Sequence, residues 1–207
     1  MKVVFDPHIH TNSSPDSSIT PNQLLAGLHA AGINAVAITD HDTMEGYRRI
    51  KHNSAFRDLL IVPGIEVSTE AGDLIVLGLE DPPVFRDPIM LVESVHRAGG
   101  LILAPHPFDS FRRSVGTLCG KLGIDIMEVF NGRCDADANR EAREFAGALG
   151  LPAVGGSDAH QKEEIGSVVN VLECEKTIEG VLMGLKKGGK VVVRKKQGCG
   201  GDRRFRV

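Results

Sequence analysis

Short apolar runs alternate with helix-spaced segments about seven times along this chain, and that rhythm restricts the folds open to it. The runs occupy residues 3–5, 33–39, 59–63, 73–79, 101–104, 124–130 and 151–154. Thr20-Pro21 reads as an N-cap and first helical residue, with Leu24, Leu25, Leu28 and Ala31 at helical spacing and Gly32 as the stop. Further helices are expected from Met44 to about His52 or on to Asp58, from Asp87 or Pro88 to Gly99-Gly100, briefly within 114–122, from Asp137 to a Gly150 cap, and from Thr177 to Lys187. Residues 168–172 read as a last sheet-like segment and 191–193 as an edge strand. Alternation with short connections predicts parallel strands wrapped by helices. A Gly-x-Gly-x-x-Gly after the first strand and a Walker-type loop are both missing, so an open nucleotide-binding sheet has little support.

Composition fits one soluble domain with an aliphatic core: 42% hydrophobic, 25% charged, 4% aromatic and no Trp. The formal net charge of −3 argues against an electrostatic nucleic-acid binder as a whole. Basic residues nevertheless gather late, at Lys190, Arg194, Lys195, Lys196, Arg203, Arg204 and Arg206 against Asp202. The expected organisation is one domain over 1–190 and a loose, Gly-rich basic tail over 191–207, read as a solvated terminus rather than a polyanion site. None of Cys119, Cys134, Cys174 and Cys199 forms a Cys-x-x-Cys pair, which argues against structural zinc and disulfides. With no leader-like N-terminal run and no membrane-length apolar run, a reducing cytoplasm is expected, with no membrane partner.

The chemistry sits where the strands stop. The first strand runs into His8-Ile9-His10, whose imidazoles share a side if the chain stays extended. Asp16 follows in the next loop. Asp40-His41-Asp42 ends the second strand, Glu66 follows the third, His106 stands after the fifth, and Asp158-Ala159-His160 repeats the two-residue spacing after the seventh. Taken singly, each has a plain alternative: Asp16 a turn residue, Asp40 or Asp42 a helix cap, His106 a core histidine. Together they place five of eight histidines at strand ends. His29, His52 and His96 fall in helices and are expected at the surface. A closed barrel collects its chemistry at the C-terminal ends of its strands. Imidazoles and carboxylates without thiolates suit Mn, Fe or Zn in an open site, and carboxylates so crowded call for more than one cation.

These motifs resemble the PHP (polymerase and histidinol phosphatase) family. The matching stretches are Asp6-Pro7-His8-Ile9-His10-Thr11, Thr39-Asp40-His41-Asp42, Pro63-Gly64-Ile65-Glu66, Ala104-Pro105-His106-Pro107 and Gly156-Ser157-Asp158-Ala159-His160, in the family's order and covering roughly residues 1–172. The resemblance implies a distorted seven-stranded β/α barrel, TIM-like, with two or three divalent ions (Mn, Zn or Fe). By its pattern His8, His10, Glu66 and Asp158 hold one ion, Asp16, His41 and His160 another, and Glu66 bridges to a further ion that also takes His106. Many members carry a histidine on the strand after the glutamate; this chain has Asp73 or Ile75 in that region, with Asp73 able to ligate through oxygen.

The implied activity is hydrolysis of a phosphate ester of a small molecule or nucleotide, with a metal-bound water as nucleophile and no side-chain acid assigned. Arg133, Arg112 and Arg113 are candidates to clamp the phosphate, Arg133 first because it directly follows a strand end. Asn131 is expected to bond substrate or water, and Asp40 to orient a ligand rather than to be one. An exonuclease acting on RNA or DNA ends is the alternative, with the tail as a basic surface. A non-catalytic subunit fits less well, because such PHP-like domains lose ligands that this chain keeps. A metal-dependent amidohydrolase shares the first His-x-His but adds a strand-end lysine that is missing here. The sequence carries no mark of an oligomeric state.

Overall fold

The structure, a computed structural model, describes residues 1–194 and 203–206. Its strands are β1 (Lys2–Asp6), β2 (Ala35–Ile38), β3 (Leu60–Thr69), β4 (Gly72–Leu77), β5 (Leu101–Ala104), β6 (Ile126–Asn131), β7 (Ala153–Gly156), β8 (Val168–Glu173), β9 (Lys190–Val193) and β10 (Arg203–Arg206). The helices are α1 (Pro21–Ala30), α2 (Glu45–Lys51), α3 (Pro88–Arg97), α4 (Cys119–Leu122), α5 (Ala136–Leu149) and α6 (Ile178–Lys186). One sheet holds all the strands in the order β10-β9-β8-β1-β2-β3-β4-β5-β6-β7.

The seven expected strands are β1 to β7, and the sheet is nearly closed into a barrel around them. Past the end of β1, Ile9 bridges Ala159 in parallel, with Asp158 N–H donating to His8 O at 2.8 Å and His10 N–H to Ala159 O at 3.0 Å. Buried Asn170 on β8 ties Gly155 of β7 from both sides, accepting from its N–H at 3.0 Å and donating to its carbonyl at 2.6 Å. The expected sheet-like segment at 168–172 and edge strand at 191–193 are β8 and β9; with β10 they continue the sheet antiparallel from β1, to ten strands among the described residues against the seven of the expected barrel. One expectation needs correction: the sheet is not parallel throughout, because β4 runs antiparallel to both β3 and β5. A tight hairpin joins β3 to β4, and two strands so close in sequence can pair only antiparallel.

Apolar side chains fill both faces of the sheet. Val3 and Phe5, Ala35 and Ala37, Ile75 and Leu77, and Leu101 and Leu103 form one buried cluster with Val181 and Leu185 of α6. The other faces of the strands pack on α1, α2, α3 and α5 through residues such as Leu24, Leu28, Ile50, Leu91 and Ala146. The helix signals behave as their chemistry predicts. Thr20 and Gln23 form a capping box, Asp87 caps α3 ahead of Pro88, and Gly150 ends α5 in the left-handed conformation. The helix expected from Met44 to about His52, or on to Asp58, runs from Glu45 to Lys51, and Asn53 then caps a new short turn over Ser54–Phe56.

His29, His52 and His96 are exposed, as expected. Cys119, Cys134 and Cys174 are free thiols, and Cys199 lies outside the described residues. Of the expected loose tail, residues 195–202 and 207 lie outside the described residues, whereas Val191 is fully buried in β9. Among the described residues no helix is long and apolar enough to cross a membrane.

Candidate metal centre

β1 ends at Asp6, and Pro7 bends the chain so that Ile9 packs into the core while His8 and His10 turn to the mouth of the barrel. Both imidazoles are fully buried, with Nε2 atoms 3.1 Å apart. Oε2 of Glu66 lies 3.2 Å from the first and 3.1 Å from the second, and Oδ1 of Asp158 lies 3.4 and 3.5 Å away.

The bonds behind the rings fix which nitrogen faces inward. Nδ1 of His8 lies 3.1 Å from a carboxylate oxygen of Glu128, which can only accept. Ser14 donates its hydroxyl to Asp40 at 3.0 Å and so accepts from Nδ1 of His10 at 3.2 Å and from the His41 N–H at 2.9 Å. Each neutral imidazole therefore presents a bare Nε2 lone pair to the carboxylates.

With both rings neutral, these four are acceptors with no hydrogen among them, and they repel unless a proton or a metal cation stands between them. Burial works against charge on His10, yet the hydrogen bonds to Asp158 and Glu66 outweigh it and carry its pKa up to about 9. Glu66 and Asp158 are both held well below the carboxylate range: burial opposes this, and the neighbouring histidines overcome it. The pocket demands positive charge. Tetrahedral nitrogen and oxygen ligands at 2.0–2.1 Å from an ion stand about 3.3 Å apart. The separations here, 3.1–3.5 Å, fit a small divalent ion.

A second group stands beside the first. Oδ2 of Asp16 is 3.1 Å from Nε2 of His160 and 3.4 Å from Nε2 of His41, and the His10 and His160 rings lie 4.1 Å apart. A parallel bridge between His41 and Glu66 seats His41 over the glutamate. On the far side, Oε1 of Glu66 meets Nε2 of His106 at 3.1 Å. Glu66 thus faces both flanks. His8–His10–Asp158, His10–Asp16–His41–His160 and His8–Glu66–His106 are each close enough to share an ion. Glu66 does this from inside β3, which runs past its expected end at Pro63 to Thr69.

Asp158 (φ 52°) and His106 (φ 31°) adopt left-handed backbones that L-residues avoid. Each is pinned by its amide: Asp158 N–H to His8 O, and His106 N–H to Glu128 Oε2 at 2.8 Å. Strain held in place this way collects at functional sites.

The antiparallel turn of β4 brings its first residues to the mouth, so Asp73 lines the cleft, whereas Ile75 is buried in the apolar cluster with α6. Oδ1 of Asp73 has no hydrogen-bond partner and lies 3.6 Å from Nε of Arg113. Arg112, Arg113 and Arg133 all line the same cleft, of about 620 Å³. Arg112 pairs with Asp158 and with Asp109 (2.7 Å), and Arg133 NH1 lies 2.8 Å from Nδ1 of His160. Asn131, expected to bond substrate or water, is buried beside the cluster. Its amide nitrogen donates to Glu128 at 2.8 Å and Asp158 at 3.1 Å, bracing both carboxylates. Asp40 stands one bond behind the imidazoles, accepting from Thr11 N–H at 2.6 Å and from Ser14. Glu128 and Ser14 were not read from the sequence. A lone carboxylate within the apolar run of β6 was the available signal for Glu128.

A carboxylate–imidazole cluster at the mouth of an α/β barrel defines a metal-binding barrel protein. The chain belongs to the PHP-domain family: residues 6–115 match the family's PHP domain, and residues 136–189 match the PHP-associated family. The protein MJ1587 of Methanocaldococcus jannaschii, itself uncharacterized, is 36% identical over 137 residues, 61% of this chain and 80% of that protein. The 5'-3' exoribonuclease Rnm of Salmonella typhimurium is 29% identical over 109 residues, 49% of this chain and 37% of its own length. In fold, the chain resembles a two-domain protein from Bacteroides vulgatus containing a predicted PHP-like metal-dependent phosphoesterase. The TM-score is 0.76 at 17% identity, over 93% of this chain and 65% of that one.

Proposed function

We propose that this chain is a metal-dependent phosphoesterase that hydrolyses a phosphate ester of a small molecule or nucleotide at a cluster of two or three divalent ions. The observation that carries the reading is the meeting of His8, His10, Glu66 and Asp158 as four buried acceptors at ion-ligand spacing. In this reading those four would hold one ion. Asp16, His41 and His160 would hold a second, and Glu66 with His106 would serve a third, beside the unpartnered oxygen of Asp73. Mn, Zn and Fe all suit such ligands. Ions of this kind generate hydroxide at neutral pH and neutralise charge on phosphoryl oxygens.

The chain's own residues bind and orient. Arg133 and Arg113 present guanidinium groups to phosphate oxygens in the cleft, and Arg112 holds Asp158 in place. Asn131 and Glu128 keep Asp158 and His8 aimed inward. His160 would be a poor proton carrier in this reading, because its Nε2, 3.1 Å from Asp16, would be taken up by the second ion.

The second reading is trimming of RNA or DNA ends, favoured by the match to an exoribonuclease. Phosphate release from a mononucleotide, compared with shortening of an oligonucleotide, both with added Mn, separates the two. Either activity should vanish in His10→Ala and Asp158→Ala; hydrolysis unchanged in both variants would overturn the site.

A further inference from the structure

Phe111 stands at the rim of the metal cleft with 92% of its surface in water. Every other phenylalanine with a described side chain is buried or half-buried. Leaving a phenyl ring in solvent forfeits its hydrophobic transfer, so packing is not what places it there.

The ring sits on a fixed support. The N–H of Phe111 donates to Oδ1 of Asp109 at 2.7 Å, and Oδ2 of Asp109 accepts from Arg112 at 2.7 and 3.1 Å. The loop is closed behind it by Ser114 Oγ donating to His106 O at 2.7 Å and by Gly116 N–H donating to Pro107 O at 2.8 Å. It starts from His106, a residue of the metal cluster, so the platform and the cluster are braced together.

Among the described residues, Phe111 and Pro15 are the only apolar ones lining the cleft; the rest of the lining is polar or charged, and Arg112, Arg113 and Arg133 supply the cations. A single flat ring beside arginines suits an anion joined to a planar group. It is too little apolar surface for an acyl chain, and a bare sugar phosphate would have no use for it. Aromatic side chains beside a cationic track are how unpaired bases are held, because every base offers a π-face.

We infer that Phe111 is a stacking platform for a nucleobase, so that the substrate is a nucleotide or the end of a single strand. This rests on the phosphoesterase reading and narrows its substrate class. Adenosine 5'-monophosphate carries adenine where ribose 5-phosphate carries a hydroxyl, and calorimetry on the chain stripped of metal, where neither is hydrolysed, compares their binding directly. Stacking contributes ~1–3 kcal/mol per base, so the nucleotide should bind about 5- to 150-fold more tightly. Phe111→Ala should erase that gap without weakening ribose 5-phosphate, and Phe111→Trp should keep it. Equal binding of both ligands by the native chain, or equal weakening of both in Phe111→Ala, overturns the inference. So does a larger Phe111→Ala effect on O-phosphotyrosine than on the nucleotide. Mn-supported phosphate release from adenosine 5'-monophosphate, with shortening of an oligonucleotide alongside, tests the parent reading separately. Neither activity, together with a surviving nucleotide gap, would overturn the phosphoesterase reading and leave the base contact standing.

Discussion

Nδ1 of His8 lies 3.1 Å from Oε1 of Glu128, and both side chains are fully shielded from water. The carboxylate fixes the tautomer, so Nε2 is the nitrogen offered to an ion. Glu128 also receives the His106 amide and the Asn131 side chain, which makes it the brace of the metal cluster. Removing such a brace costs about 10–100-fold in metal affinity or turnover. Glu128→Ala should therefore lose metal to a competing chelator at 10-fold or more lower concentration. Affinity within twofold of the native chain would show that His8 needs no partner.

Gly156 makes room for that same contact. A methyl there would overlap Oε1 of Glu128 and come 2.7 Å from Cβ of His8. Overpacking of this kind destabilises by ~1–3 kcal/mol. Gly147, on α5 with open space around it, is the control. Urea denaturation should place Gly156→Ala below the native chain and Gly147→Ala level with it or up to about 1 kcal/mol above.

Asp125 provides a pH test away from the metal cluster. It accepts from Ile102 N–H at 2.8 Å, Lys186 Nζ at 2.7 Å and His96 Nε2 at 2.9 Å. Burial opposes its ionisation, but these bonds outweigh burial and hold its pKa below the ordinary 3.8. A carboxyl depressed on folding contributes stability that is present above its unfolded pKa and lost as pH falls through the folded one. Asp125→Ala should cost ~1–3 kcal/mol at pH 7, and the gap should close in strong acid. A deficit that stays constant from pH 7 to pH 2 would mean that charge at Asp125 contributes nothing.

The antiparallel course of β4 puts Asp73, not Ile75, at the mouth. Asp73 is not grouped with the closest-set donors. Asp73→Ala should leave the most tightly held ion in place and weaken only the loosest one. Metal titration followed by calorimetry reads the two apart, and loss of the tightest ion would contradict the assignment.

Much of the site is legible in the sequence, and the reason is local. His8-x-His10 announces itself because neighbours two apart share a side of an extended chain, and Asp158-x-His160 because it repeats that spacing after a strand end, although Asp158 itself is left-handed. Glu128, Ser14 and the bracing role of Asn131 depend on contacts between segments far apart in sequence, which periodicity does not record. Strand direction was also hidden: the apolar run of β4 looks the same read either way, and only the tight hairpin after β3 reverses it. Pro63 suggested a strand end, yet β3 continues through it and carries Glu66 in its middle.

The central claim is that the strand-end cluster holds two or three divalent ions. The most direct measurement is metal content per chain by elemental analysis after reconstitution with Mn or Zn, with Asp158→Ala and His10→Ala alongside. Two or three ions per native chain, falling by at least one in each variant, is the predicted result. At most one ion per native chain, or native content retained in both variants, would contradict it.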